Sequence, residues 1–116
     1  MNFDHKASIQ DIHELDISKL KADVIIGGFP CQPFSTVNPT KTPSEKGGQL
    51  FWEMARVIND VKPSIFVAEN VQGFYRLKNG FYFNLACNEF KKIGYRIFHK
   101  YLKTEWRFSV KIIYGR

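Results

Sequence analysis

Cys31 and Glu69 are the residues whose types and settings suit covalent chemistry. Cys31 lies in Gly28-Phe29-Pro30-Cys31-Gln32-Pro33-Phe34-Ser35, directly after the apolar run Asp23-Val24-Ile25-Ile26-Gly27. Glu69 opens Glu69-Asn70-Val71, directly after Ile65-Phe66-Val67-Ala68. A thiol and a carboxyl thus each stand where a short apolar segment of strand length ends. In an open α/β sheet, ligands bind in the crevice beyond the carboxyl ends of the strands. Two such ends can bring a nucleophile and an acid to one cavity. A thiolate adding to a polarised ring, and a carboxyl that supports the resulting charge, are the parts of covalent catalysis. Pro30 and Pro33 each remove a backbone donor and fix one φ angle beside the thiol, which holds the loop in shape.

Plainer readings of the same residues stand beside this one. A lone cysteine is commonly a small buried hydrophobe. Cys87 reads that way, since it shares a helical face with Phe83, Ala86 and Phe90. Cys31 differs by lying between prolines in a predicted loop, although a reactive thiol also needs a lowered pKa and access. Glu69 taken alone reads as a solvated acid at a strand end, and its interest comes from pairing with Cys31. A thiol hydrolase or redox protein is a third reading. It would need His99 as the base, and no Asn or Asp partner for that histidine is evident.

The elements that must position these groups follow from periodicity and punctuation. In residues 1–20, Asp11 or Asp16 caps a short helical turn, with Ile12, Leu15 and Leu20 facing inward. Residues 22–28 form a short apolar run without alternation, which predicts a buried parallel strand. Residues 29–48 hold Pro30, Pro33, Pro39, Pro43 and Gly47-Gly48 and form a long loop of the kind used as a lid or binding loop. Residues 50–61 predict a helix with Leu50, Met54, Val57 and Val61 in one stripe, widened by Phe51, Ala55 and Ile58. Pro63 precedes a strand at 64–68, residues 70–79 form a loop, and residues 80–93 form a helix stopped by Gly94. Strands follow at 95–102, with Tyr95, Ile97, His99 and Tyr101 on one face, and at 108–114.

The chain has 116 residues, 44% hydrophobic and 16% aromatic, enough for one domain with a modest core and unlike a disordered chain. Eleven phenylalanines suggest several packed layers or apolar surface made for a partner. Lysine and arginine number 17 against 11 acidic residues, a net charge of +6 that suits a polyanion such as nucleic acid. The two cysteines are far apart and outside any Cys-x-x-Cys, and His5, His13 and His99 lack ligand spacing. Neither a disulfide framework nor a metal site is therefore expected. No apolar run approaches the ~20 residues of a membrane span, and the N-terminus lacks the order of a signal peptide. A cytoplasmic setting is the default, nucleoid-associated in a prokaryote.

Taken together, the motifs resemble those of the DNA (cytosine-5)-methyltransferases. Gly28 to Ser35 is similar to that family's Pro-Cys motif at each position compared, and Glu69-Asn70-Val71 to its Glu-Asn-Val motif at a similar distance. Asp11-Ile12 resembles the Asp-Ile that touches the adenosine of the cofactor. Gly48-Gln49-Leu50-Phe51 with Arg56 resembles the Gly-x-Leu-Phe…Arg helix start. Lys62-Pro63 and Gly94-Tyr95 also match in place, so the likeness covers about Asp11 to Tyr95.

The resemblance implies a partial Rossmann-like α/β sheet, mostly parallel and truncated at both ends. It also implies methyl transfer from S-adenosylmethionine to C5 of cytosine, with this chain as a fragment or subunit. Cys31 would add to C6 of a cytosine flipped out of duplex DNA. Glu69 would donate at N3, which at neutral pH asks for a pKa raised by burial or by substrate. Arg107 would match the first arginine of a later Gln-x-Arg-x-Arg motif, with Ser109 in place of the second. Gln32, Ser35, Asn70 and Val71 are the implied substrate contacts, and Asp11, Ile12, Pro30 and Leu50 the implied cofactor contacts.

The family's Phe-x-Gly-x-Gly cofactor loop has no counterpart among residues 1–116, nor has its target-recognition domain. One partial catalytic domain is therefore expected, with double-stranded DNA and a complementing chain as partners. The alternative is a catalytically inactive remnant that binds DNA or a partner chain.

Overall fold

The computed structural model describes residues 8–29, 50–103 and 108–115, with side chains through residue 102. Four strands form one sheet in the order β1-β2-β4-β3, where β1 is Val24–Gly28, β2 Ile65–Val71, β3 Arg96–Lys103 and β4 Phe108–Gly115. β1 and β2 pair parallel, and β4 pairs antiparallel with both β2 and β3. Three strands therefore run one way, and β4 runs against them from its place between β2 and β3. This is the expected α/β class with a mostly parallel sheet. The parallel pair needs a crossover, which α1, Leu50–Val61, supplies on the way from β1 to β2.

Two short 3-10 turns precede β1, at Ile12–Glu14 and Ile17–Lys19. Asp11 caps the first by accepting from the His13 backbone N–H at 2.9 Å, and Asp16 caps the second by accepting from the Ser18 N–H at 3.1 Å. Both aspartates thus cap turns, where the sequence suggests one or the other. Leu20, expected inside, is exposed, and Ile17 is buried in its place. A three-residue turn carries one inward position, and the second cap moves that position to Ile17.

The helices build an aromatic core on one face of the sheet. Phe29, Phe51, Trp52, Phe66, Phe74, Phe83, Phe90 and Tyr95 are all buried in one cluster. The Phe66 ring lies 4.6 Å from that of Phe90 and 5.3 Å from that of Tyr95, and Phe51 stands edge-on to Trp52 at 4.8 Å. Such edge and tilted contacts place the positive ring edge against the negative ring face. In α1 the buried positions are Phe51, Trp52, Met54, Ala55, Val57 and Ile58, so the stripe is centred to one side of the expected one. Leu50 remains 41% exposed.

Residues 70–79, expected as a loop, instead continue β2 and then turn helical. Asn70 and Val71 pair with Val110 and Ser109 of β4, contacts that no local pattern announces. α2, Gln72–Arg76, follows with Phe74 buried as its anchor, and a 3-10 segment, Leu77–Gly80, leads into α3, Phe81–Lys92. Gly94 has φ +108° and ends α3. Its N–H donates to the Lys91 carbonyl at 2.9 Å, and the Tyr95 N–H donates to the Phe90 carbonyl at 3.2 Å. This is the paired-bond helix stop expected of a glycine there. The Tyr95 hydroxyl then donates to the Pro63 carbonyl at 3.0 Å and ties this corner to the approach to β2.

One expectation for β1 is overturned. The strand is not buried on both faces. Val24 and Ile26 are exposed while Ile25 packs against the core. Among the described residues all helices lie on one side of the sheet, so a run that is apolar on both sides is covered on only one.

Candidate active site

The carboxyl ends of β1 and β2 lie side by side, as the motif spacing requires. The parallel register sets Gly28 against Glu69. A Cβ at Gly28 would stand 3.4 Å from both the Glu69 carbonyl oxygen and its Oε2, so the glutamate side chain lies over the bare backbone of β1. Glycine at this position keeps that space open. The Glu69 carboxyl is exposed on the face of the sheet opposite the helices, since β2 alternates and sends Phe66, Ala68 and Asn70 inward.

Asn70 supplies the link between the two motifs. It is 5% exposed, the buried polar residue among the described residues. Its Nδ2 donates to the Phe29 carbonyl at 3.0 Å, and its Oδ1 accepts from the Val71 N–H at 2.8 Å. Both ends of the amide are thus used inside the protein, which is how a buried amide avoids the cost of unmade hydrogen bonds. Asn70, an expected substrate contact, thus braces Phe29 from within the protein. Phe29 is held from its other side too, with its ring edge-on to Phe51 at 5.1 Å and to Phe74 at 5.3 Å. The residue directly before Pro30-Cys31 is therefore fixed by backbone and ring alike. This role of Phe29 is missing from the sequence reading, which treats it only as part of a motif.

Of the remaining expected site residues, Val71 is exposed at the end of β2. Pro30, Cys31, Gln32 and Ser35 lie outside the described residues, and so does Arg107. Asp11 is exposed and holds its own turn, with Oδ1 2.6 Å from the His13 ring nitrogen. The His13 backbone N–H, with the ring beside it, keeps this carboxyl below the ordinary aspartate pKa. Ile12 is half-buried, and its carbonyl accepts from Arg56 Nη2 at 2.8 Å. Arg56 also pairs with Glu53 at 2.7 Å, so α1 grips the Asp11-Ile12 segment through one guanidinium. That grip explains physically why an arginine belongs five residues after Phe51. Asp11 and Leu50 present an exposed carboxylate and exposed apolar surface.

Two surface clefts lie elsewhere. One, of about 370 Å³, is bounded by the Glu53–Arg56 and Glu89–Lys92 ion pairs with Asn59 and Ile93. The other, of about 490 Å³, is lined by Tyr75, Arg76, Asn79, Phe83 and His99. Neither is lined by Glu69. His99 stands edge-on to Phe83 at 5.2 Å, on the helical side of the sheet and away from Glu69. Cys87 is buried in the core, and burial pushes its thiol pKa up.

An α/β sheet covered by helices on one face thus sets the Glu69 carboxyl over the end of β1, the strand that Phe29 and the Cys31 motif follow in sequence. The comparisons narrow this. The family model for C-5 cytosine-specific DNA methylases matches residues 1–106, and the chain belongs to that family. It is 38% identical over 92 residues to the type II methyltransferase M.PspPI of Psychrobacter sp. (strain TA137), a match covering 78% of this chain and 22% of that protein. It is 37% identical over 103 residues to the type II methyltransferase M.FnuDI of Fusobacterium nucleatum, covering 86% of this chain and 30% of that protein. A crystal structure of a prophage-encoded protein (E. coli), named as a DNA modification methyltransferase, superposes with a TM-score of 0.60 at 23% identity. That match covers 92% of this chain and 32% of the other, and it carries the fold. The chain thus spans about a fifth to a third of the length of the relatives it matches. Among the described residues no helix is long and apolar enough to cross a membrane.

Proposed function

We propose that this chain carries the covalent half of a DNA cytosine-5 methyltransferase and acts together with the remaining methyltransferase polypeptide. The observation that carries the reading is the Asn70–Phe29 hydrogen bond, which locks the strand bearing Glu69 to the residue from which the Cys31 loop departs. Cys31 stands two positions after Phe29, and at ~3.3–3.6 Å of reach per residue its Cα stays within about 7 Å of the Phe29 Cα.

C5 of cytosine is a poor nucleophile. Addition of the Cys31 thiolate at C6 makes the ring enamine-like and nucleophilic at C5. Negative charge spreads toward N3 as the C–S bond forms, and Glu69 donates a hydrogen bond or proton there. Once C5 has taken up the methyl group, loss of the C5 proton to a base expels the Cys31 thiolate, and return of the N3 proton restores the ring. The cytosine must leave the duplex to reach these groups, and the surplus of basic residues favours the DNA backbone. S-adenosylmethionine, when bound, supplies an electrophilic methyl group. Asp11, Ile12, Pro30 and Leu50 would hold part of it, while Gln32, Ser35, Val71 and Arg107 would face the base. The type II methyltransferase names of its relatives support a role in restriction-modification.

The test is duplex DNA containing 5-fluorocytosine, mixed with S-adenosylmethionine and this chain, with and without the matching remainder of a relative. Fluorine at C5 blocks the final elimination, so an adduct mapped by mass spectrometry to Cys31 is expected in the completed mixture. Cys31→Ser should abolish it, and native Cys87 should resist alkylation because its thiol is buried. No adduct in the completed mixture overturns the reading and leaves a chain that only binds DNA or a partner.

A further inference from the structure

The two surface clefts differ in how their polar groups are used. In the one between α1 and α3 the cations are matched, Arg56 with Glu53 and Lys92 with Glu89. The larger one, of about 490 Å³ between α2, α3 and β3, has no carboxylate in its lining. Its Arg76, Asn79 and Asn84 are exposed, and among the described residues their side chains have no hydrogen-bond or ion-pair partner. The floor is aromatic. Phe83 is buried and meets the Tyr75 ring at 4.9 Å and the His99 ring at 5.2 Å. The Tyr75 and His99 rings lie 6.1 Å apart, tilted by 37°, and Tyr101 extends the row 5.1 Å from Tyr75. His99 is exposed. At the rim, Lys78 and Asn79 hold left-handed φ angles of +47° and +55°. Residues other than glycine adopt that conformation at a cost in stability.

We propose that this cleft binds one unpaired nucleotide of a DNA strand, with its base stacked on the His99 and Tyr75 rings and its phosphate at Arg76. Each part of the lining suits one part of that ligand. Base faces stack on aromatic side chains whatever their sequence. A guanidinium without a carboxylate partner offers a fork of donors that matches phosphate oxygens. The Asn79 and Asn84 amides each carry a donor and an acceptor for a base edge. The volume lies in the range of small-ligand sites. His99 pairs in register with Ile112, and Ile112 with Ala68, so the cleft sits two strand spacings, about 10 Å, to the side of β2. It also opens on the helical face, whereas Glu69 stands on the opposite one. The nucleotide held there is therefore not the target cytosine but another one of the strand. The inference rests on DNA as the substrate class and not on the chemistry at Cys31.

The experiment titrates the full chain into fluorescein-labelled single-stranded hexathymidylate and reads fluorescence anisotropy at several salt concentrations. Saturable binding is expected, and an abasic hexamer of the same charge should bind at least about fivefold more weakly. His99→Ala should cause a loss of similar size and leave the salt dependence as it is, while His99→Phe, which keeps a ring, should restore affinity. Arg76→Gln should weaken binding and reduce the slope of log affinity against log salt by about 0.7, the contribution of one phosphate contact on a single strand. Lys92→Gln, which removes a cation from the other cleft, should leave both affinity and slope unchanged. No binding, equal binding of the normal and abasic strands, or losses as large for Lys92→Gln as for Arg76→Gln would each overturn the proposal. Cys31→Ser should bind the hexamer like the parent. Hexamer binding without an adduct in the fluorocytosine assay therefore counts against the chemistry alone, and an adduct without cleft-dependent hexamer binding counts against the cleft alone.

Discussion

The two faces of the sheet are built from the same strands and treated oppositely. On one side Phe66 and Ala68 are buried in the cluster that holds Phe51, Phe90 and Tyr95, and Ile25 packs half-buried against it. On the other, Val24, Ile26, Ile65 and Phe98 meet solvent. Strand alternation separates the two sets by a single residue. The helices supply the asymmetry, since every described helix packs on the first side. The lesson concerns function as much as stability. Glu69 stands on the bare side, and the groups that hold it in place, Asn70 and Phe29, stand on the covered one.

Substitutions on matched positions of the two faces should break this comparison most sharply. Phe66→Ala removes a fully buried ring from beneath Phe90 and should cost ~3–5 kcal/mol in urea unfolding. Ile26→Ser, one strand away on the other face, should stay within about 0.5 kcal/mol. Equal losses would mean that the bare face is covered in the free chain. Asn70→Ala leaves the Phe29 carbonyl and the Val71 N–H without their partner. It should cost ~1–3 kcal/mol and slow adduct formation at Cys31 beyond what that instability explains, measured well below the melting temperature. A rate that follows stability alone would reduce Asn70 to ordinary packing. Tyr95→Phe keeps the ring contact with Phe66 and deletes only the hydroxyl bond to Pro63. About 1 kcal/mol should be lost, with no effect on the adduct rate, because that corner is remote from Glu69.

Much of the fold was open to a reading of local pattern. The helix over 50–61 follows from its apolar spacing, and Gly94 stops the next one because only a residue at ease with φ near +108° completes that cap. Cys87 is buried where its helical face requires. What local pattern leaves open involves partners distant in sequence. Asn70 stands in a motif as an implied substrate contact, and its amide also bonds a carbonyl 41 positions earlier. Residues 70 and 71 look like loop until β4 pairs with them. Arg56 has the right position by motif, but its hold on the Ile12 carbonyl crosses 44 positions and leaves no local trace.

What the chain's order of residues determined alone was the class, together with the residues on which the proposed chemistry rests. A thiol loop and a Glu-Asn-Val, each after an apolar run, are local facts, and they carry the family assignment. Tertiary structure alone decided which face of each strand is covered, that Glu69 lies over Gly28, and that Asn70 braces the approach to Cys31. The physical reason is that alternation tells two faces apart without saying which one receives the helices. Burial and hydrogen bonding between distant segments exist only once the strands have found their register.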